Sequence, residues 1–298
     1  MHKTQYQKAL LGWHAHQGRH QLPWRADYTP YRVWLAEIML QQTTVTTVGP
    51  YYQKFLAQYP TLQALAAAAE DEVLALWQGL GYYSRARNLH RCAQVVVAKY
   101  NGLFPTDEAA LLALPGIGHY TAAAIRSLAF NQPATVVDGN VERIIARLYC
   151  LPYPPKTQPA AVKELATTLA TGATSPRAYS EAMMDLGATI CTPTSPQCLL
   201  CPVQKFCGAF KQGEVTKYPL KQAKPKRPAL IGQVYVVQDK LGRYYLQKRP
   251  DQGLLAGLYE FPSTGWQQNK LPDWLDTAAA EYKGVIKHIF THLELTLE

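Results

Sequence analysis

The chain has 298 residues, 48% apolar and 17% charged, enough for two domains or three small ones with separate cores, in the ordinary range for a soluble globular protein. Thirty Lys and Arg against 21 Asp and Glu leave a formal charge of +9, which suits a polyanionic partner without naming one. Lys3, Lys8, His14, His16, Arg19 and His20 interrupt any N-terminal apolar run and no later stretch is as long as a membrane span, so the expectation is a cytoplasmic protein with no membrane partner.

Residues 1–24 place Tyr6, Ala9, Leu10 and Trp13 at helical spacing, with Leu22-Pro23-Trp24-Arg25 as an exit. Thr29-Pro30 predicts a helix start with Thr as cap, and the helix is expected to run to about Leu40. Glu37 is its one acid and shares a face with Val33 and Leu40. Desolvation there would favour the neutral carboxyl, whereas a surface position would pair it with Arg25 or Arg32. Gln41-Gln42-Thr43-Thr44 follows, a dense set of donors and acceptors able to satisfy backbone groups or reach base edges.

Two amphipathic runs, Tyr51 to Tyr59 and the alanine-rich Leu62 to Leu76, lead to Trp77 and the loop Gln78-Gly79-Leu80-Gly81-Tyr82-Tyr83-Ser84-Arg85-Ala86-Arg87. Tyrosines and arginines beside paired glycines suit base stacking and phosphate contact, for Tyr82, Arg85 and Arg87 in particular; a buried aromatic anchor is the competing reading for one tyrosine. Further on, Thr106-Asp107-Glu108 reads as a cap and acidic first turn, Leu111, Leu112 and Leu114 as a short helix, and Pro115-Gly116-Ile117-Gly118 as its stop. A second helix from His119 would present amides beside Gly116 and Gly118, a nest suited to phosphate; an ordinary tight turn between packed helices is the competing reading. It ends near Phe130, and Asp138 then stands in front of Val141, Ile144, Ile145 and Leu148.

After a proline-rich break at Leu151 to Pro159, two helical runs lead to Tyr179 through Gly187 and to Cys191, Cys198, Cys201 and Cys207. Four of the six cysteines thus sit at CX6CX2CX5C spacing, which in a reducing compartment reads as metal binding; spacing alone suits a four-iron four-sulfur cluster or tetrahedral zinc. Cys92 and Cys150 lie on apolar helical stretches and read as core residues. Lys211 to Pro228 reads as a basic, extended linker, after which IGQVYVV, YYLQKR and GLLAGLYEFP read as strands.

A hairpin, a glycine loop and an aspartate at a helix entry resemble the signature of the helix-hairpin-helix DNA glycosylase superfamily. More specifically, LPWR, IMLQQT, LWQGLGYYSRARNL, LPGIGHYTA and VDGNVER, in this order, resemble adenine DNA glycosylases of the MutY type over residues 20–210 almost continuously, and more loosely to the end. The resemblance implies removal of adenine mispaired with 8-oxoguanine or guanine in double-stranded DNA, by a monomer. Glu37 would protonate adenine and Asp138 face the sugar, with Arg25, Tyr120, Asn140 and Glu181 at further active-site positions. Leu40, Gln42 and Tyr82 match residues that enter the duplex, and Gln41 and Thr43 flank them.

Two departures stand out. Tyr120 occupies the position of the Schiff-base lysine in the endonuclease III branch, which argues against lyase chemistry, and Glu142 stands where some relatives have a basic residue. The resemblance also favours the four-iron four-sulfur cluster and implies a MutT-like C-terminal domain without the Glu-rich helix of a pyrophosphohydrolase. Phe290-Thr291-His292 matches the loop used at the oxidised base. Relatives continue beyond the equivalent of Glu298, so a partial domain with an exposed sheet edge and some tendency to self-associate is expected.

The expected fold is therefore mainly α: a helical glycosylase domain at 1–211, with a helix-hairpin-helix module at about 25–133 and a cluster module from 1–24 plus 134–211. A linker at 212–228 and a partial α+β MutT-like domain at 229–298 complete it. The rival functions are an endonuclease III-like glycosylase and AP lyase, which needs an amine where Tyr120 stands, and a non-catalytic iron-sulfur DNA-binding protein, for which intact Glu37 and Asp138 would be idle.

Overall fold

The computed structural model describes residues 2–222, 226–250, 253–264, 277–278, 280–290 and 293–298. It divides into two compact units, Met1–Gln222 and Ala223–Glu298.

The first unit is helical, with two main apolar cores. One is built by α2 (Pro30–Leu40), α3 (Val45–Gln58), α4 (Leu62–Ala67), α5 (Glu70–Trp77), α6 (Ser84–Tyr100), α7 (Glu108–Leu112) and α8 (His119–Ala124). Trp34, Phe55, Leu65, Trp77, Leu89 and Leu111 fill it, with Phe55 and Trp77 edge to face. The other core joins α1 (Lys3–Gln17) to α9 (Gly139–Tyr149), α10 (Pro159–Ala170) and α11 (Pro176–Thr189) through Tyr6, Leu10, Ile145, Val162 and Met183. A smaller cluster of Val33, Ala123, Ala124, Leu128 and Val136 spans the gap between them, with Tyr28, Tyr120 and Met184 packed on it. The chain thus leaves the first core and returns to helix α1 by long-range packing, so the two halves face each other across a cleft.

Several local readings are refined. Thr29 holds the cap position of α2, but its side chain makes no capping bond; instead the Asp27 carboxylate accepts from the Thr29 amide at 3.1 Å. The cap of α7 is Asp107, not Thr106, its carboxylate accepting from the Ala110 amide. The run at Leu62 to Leu76 is broken at Ala68 and Ala69, since Glu70, Asp71 and Glu72 favour a fresh helix N-terminus. Helix α8 does not continue as regular α-helix to Phe130 but widens into a π turn over Ile125–Ala129. Cys92 is buried in the first core; Cys150 is only half-buried and ends α9 in the left-handed region.

In the second unit β1 (Ala229–Gly232) pairs in parallel with β5 (Glu294–Leu297), which pairs antiparallel with β4 (Ile286–Ile289). A two-residue ladder joins β2 (Gln247–Lys248) and β3 (Tyr259–Glu260). The long strands read at IGQVYVV and YYLQKR are thus reduced to short ladders and isolated bridges such as Val234 with Ser263. Ile286 and Ile289 of β4 remain exposed. Thr291 and His292 lie outside the described residues. Among the described residues no helix is long and apolar enough to cross a membrane.

Candidate active site

The cleft encloses about 610 Å³ and is lined by Arg25, Tyr28, Glu37, Leu40, Gln41, Gln42, Thr43, Tyr120, Asp138, Asn140 and Glu181. Ten of these, from five separate stretches of sequence, were expected on the site; Tyr28 was not.

Glu37 projects from the third turn of α2 and is 4% exposed. Burial pushes its carboxyl from 4.5 up to about 7, with Asp138 adding to the rise while the Tyr120 hydrogen bond and Arg25 oppose it. The Tyr120 hydroxyl donates to Glu37 Oε2 at 2.7 Å from the first turn of α8. The turn before α8 fixes that position. Gly116 has φ +74°, and a Cβ there would meet Asn88 Cβ at 2.8 Å, so glycine is required on both counts. Gly118 is extended and a Cβ would meet nothing within 4 Å, which leaves its face open to a partner.

Asp138 caps α9, as its place in the sequence implies. Oδ1 accepts from the Val141 amide at 2.8 Å and Oδ2 from Asn140 Nδ2 at 2.9 Å. Asn140 is held in turn by Arg143, which donates to Asn140 Oδ1 at 2.8 Å, to the Gly187 carbonyl at 2.7 Å and to the Cys191 carbonyl at 2.7 Å. Gly187 permits this approach, because a Cβ there would fall 2.4 Å from Asn140 Cβ. One turn along, Arg147 donates to Cys191 Sγ and to the carbonyls of Thr192 and Pro193. Neither arginine was singled out in the sequence, although their four-residue spacing within the apolar stripe of α9 is a legible sign of inward-facing cations.

Helix α11 carries Arg177, Glu181 and Asp185 on one face. Arg177 lies over the Tyr28 ring at 4.2 Å, and the Tyr28 hydroxyl donates to Glu181 Oε1 at 2.8 Å. Arg25 is buried, with Nε 3.3 Å from Glu181 Oε1 and both terminal nitrogens on Asp185. Arg177 and Asp185 also escaped sequence reasoning; their four-residue steps on either side of Glu181 were the available signal.

Gln42 and Tyr82 are exposed and both have positive φ, 56° and 48°, unusual for non-glycine residues and consistent with side chains held out toward a partner. Arg85 departs from the expected phosphate contact. Its guanidinium is buried and donates to the carbonyls of Ile38, Met39, Gln41 and Leu80, tying the end of α2 to the tyrosine loop. Burial lowers its pKa, which a phosphate-facing arginine would not show. Arg87, two residues on, is half-buried.

Cys191, Cys198, Cys201 and Cys207 line one small cavity with Arg147, Ile190 and Phe210. Among the described residues no group of three or more His, Cys, Asp or Glu is placed to hold a metal ion.

The HhH-GPD superfamily of base excision DNA repair proteins matches residues 35–168, and a NUDIX domain matches residues 233–298. The adenine DNA glycosylase of Buchnera aphidicola subsp. Baizongia pistaciae is 33% identical over 97% of this chain and 84% of its own length. This chain belongs to the adenine DNA glycosylase family. The human adenine DNA glycosylase is 34% identical over 99% of this chain and 66% of its own length. Among solved structures, a thermostable thymine-DNA glycosylase matches 70% of this chain and 97% of its own at 31% identity and a TM-score of 0.62. An endonuclease III bound non-covalently to DNA matches 72% of this chain and 98% of its own at 25% identity and a TM-score of 0.60. For this adenine DNA glycosylase family member, the helix-hairpin-helix fold and the NUDIX domain expected from the sequence are both present.

Proposed function

We propose that this DNA glycosylase removes adenine from double-stranded DNA where it is mispaired with 8-oxoguanine or guanine, by hydrolysis and without lyase chemistry, acting as a monomer. The observation that carries this reading is the buried Glu37, raised to about 7 and bonded to Tyr120, in one cleft with the helix-capping Asp138. Adenine must leave the base stack to reach such a cleft, at a cost of roughly a few kcal/mol. A carboxyl near neutral pKa holds its proton at working pH and can deliver it to the base as the N-glycosidic bond lengthens. The capping Asp138 carboxylate, fixed by Val141 and Asn140, faces the cationic sugar until water attacks. Tyr120 offers a phenol at the site, and burial together with Glu37 and Asp138 raises its pKa, so it remains protonated; having no amine, it forms no Schiff base.

The division into modules at about 25–133 and at 1–24 plus 134–211 is supported by the two separate cores. The four cysteines suit a four-iron four-sulfur cluster. Thiolates are its natural ligands, all four meet at one cavity, and burial pushes Cys201 up to about 12, a cost that cationic iron would reverse. Bound there, the cluster would supply a rigid, charged fastening for the loop, since glycoside hydrolysis is redox-neutral.

The test is excision from duplexes carrying adenine opposite 8-oxoguanine or opposite guanine. Adenine should be released from both, with strand breaks appearing only after alkali and no borohydride-trapped complex in step with turnover. Efficient trapping would refute the monofunctional reading, and an inert duplex would refute the substrate.

A further inference from the structure

The mechanism uses Glu37 as an acid, yet a guanidinium lines the same cleft. Left to itself, Arg25 would pair with Glu37, drive off its proton and disable it. The structure instead shows all three Arg25 nitrogens turned to other carboxylates. Its two terminal nitrogens donate to Asp185 Oδ2 at 2.7 Å and Oδ1 at 3.0 Å, and its Nε lies 3.3 Å from Glu181 Oε1. Among the described residues it makes no hydrogen bond or ion pair with Glu37.

Asp185 has no exposed surface. Besides Arg25 it accepts from the Arg19 amide at 2.8 Å and from Arg19 Nε at 2.7 Å, and His14 Nε2 stands 3.4 Å from Oδ2. Burial works against its charge, but the approach of His14 and the bonds from Arg25 and Arg19 overcome this and hold it well below the usual carboxylate range. This is a fixed anion, held by groups from α1 and the turn after it, and it does not itself line the cleft where chemistry occurs, although its partners Arg19 and Arg25 do.

We infer that Asp185 is a positioning residue that clamps Arg25 in a two-pronged grip and so keeps the guanidinium from pairing with Glu37. The inference rests on Glu37 being the proton donor. Bidentate geometry is what makes the grip directional, because a planar fork held at both prongs cannot swing. Glu181 and Tyr28 complete the restraint from the other edge. The groups facing Glu37 are then Tyr120 from α8, Asp138 at the entry of α9 and Arg25 from the turn after α1; only Arg25 brings positive charge.

The experiment is single-turnover adenine excision as a function of pH, with duplex affinity measured alongside. The parent should lose rate as pH rises through about 7. In Asp185→Asn the released guanidinium should move this limb down by about one pH unit or more, cutting the rate at pH 8 by about tenfold while the two enzymes converge below pH 6. Affinity for the duplex should change little. Arg25→Leu with Asp185→Asn should follow the profile of Arg25→Leu alone, because the clamp acts only through Arg25. If Asp185→Asn does not fold, Arg25→Lys serves, since a single-point donor cannot span both oxygens and should shift the limb the same way. A uniform drop in rate with the limb unmoved would overturn the clamp, as would a shift that persists without Arg25. A parent profile with no limb near neutral pH would instead overturn the reading of Glu37.

Discussion

Glu37→Gln keeps the size and polarity of the side chain and removes its proton. With the carboxyl at about 7, roughly a quarter of molecules carry the proton at pH 7.5, against about one in a thousand for a carboxyl left at 4.5. General acid catalysis by a placed group supplies about 10²- to 10⁴-fold, so single-turnover adenine release should fall at least about a hundredfold, with duplex affinity unchanged. Stability gives a second readout. A raised folded pKa means the native state binds the proton better than the unfolded chain. The parent's advantage is therefore complete below about 4.5 and is lost as pH rises to about 7. Above 7 the parent carries an ionised buried carboxylate that the variant lacks, worth up to about 3 kcal/mol. Glu37→Gln should thus melt higher than the parent at pH 8 and match it at pH 4. Adenine release near the parent rate would place the proton elsewhere and refute the reasoning.

Asp138→Asn can still accept from the Val141 amide, so its melting temperature should stay within a few degrees of the parent while excision slows by more than tenfold; a large loss of stability would make the carboxylate structural. Arg85→Leu strands the carbonyls at the end of α2 and should lower unfolding stability by about 2–4 kcal/mol in urea titration; weakened DNA binding at unchanged stability would restore it as a phosphate contact. Parent protein should be yellow-brown with broad violet absorbance, and Cys198→Ser should lower soluble yield more than the excision rate of what folds; a colourless, active protein holding one zinc would refute the cluster.

Local rules in the sequence sufficed for the elements whose signals are local. Proline at position 30, the Pro-Gly-x-Gly stop and Asp138 before an apolar stripe each act within one helical turn, and the helices begin and end close to where those residues put them. Glu37 was legible only in part: an acid on an apolar face could be buried or paired at the surface with Arg25 or Arg32, and the family resemblance, not the helix pattern, favoured the buried reading. The fate of the arginines was not legible. Arg85 sits among tyrosines and glycines that read as a nucleic-acid loop, and only the approach of the α2 terminus turns it inward. For Arg25, Arg143 and Arg147 the place on the helix or turn was legible but the partners were not. A guanidinium reaches far enough that its partner is chosen by which helix ends and carboxylates the fold brings near, and those lie between about 40 and 160 residues away along the chain. Local spacing therefore determined the helix boundaries, the family resemblance supplied the candidate carboxylates, and tertiary packing decided which cations are spent holding them in place.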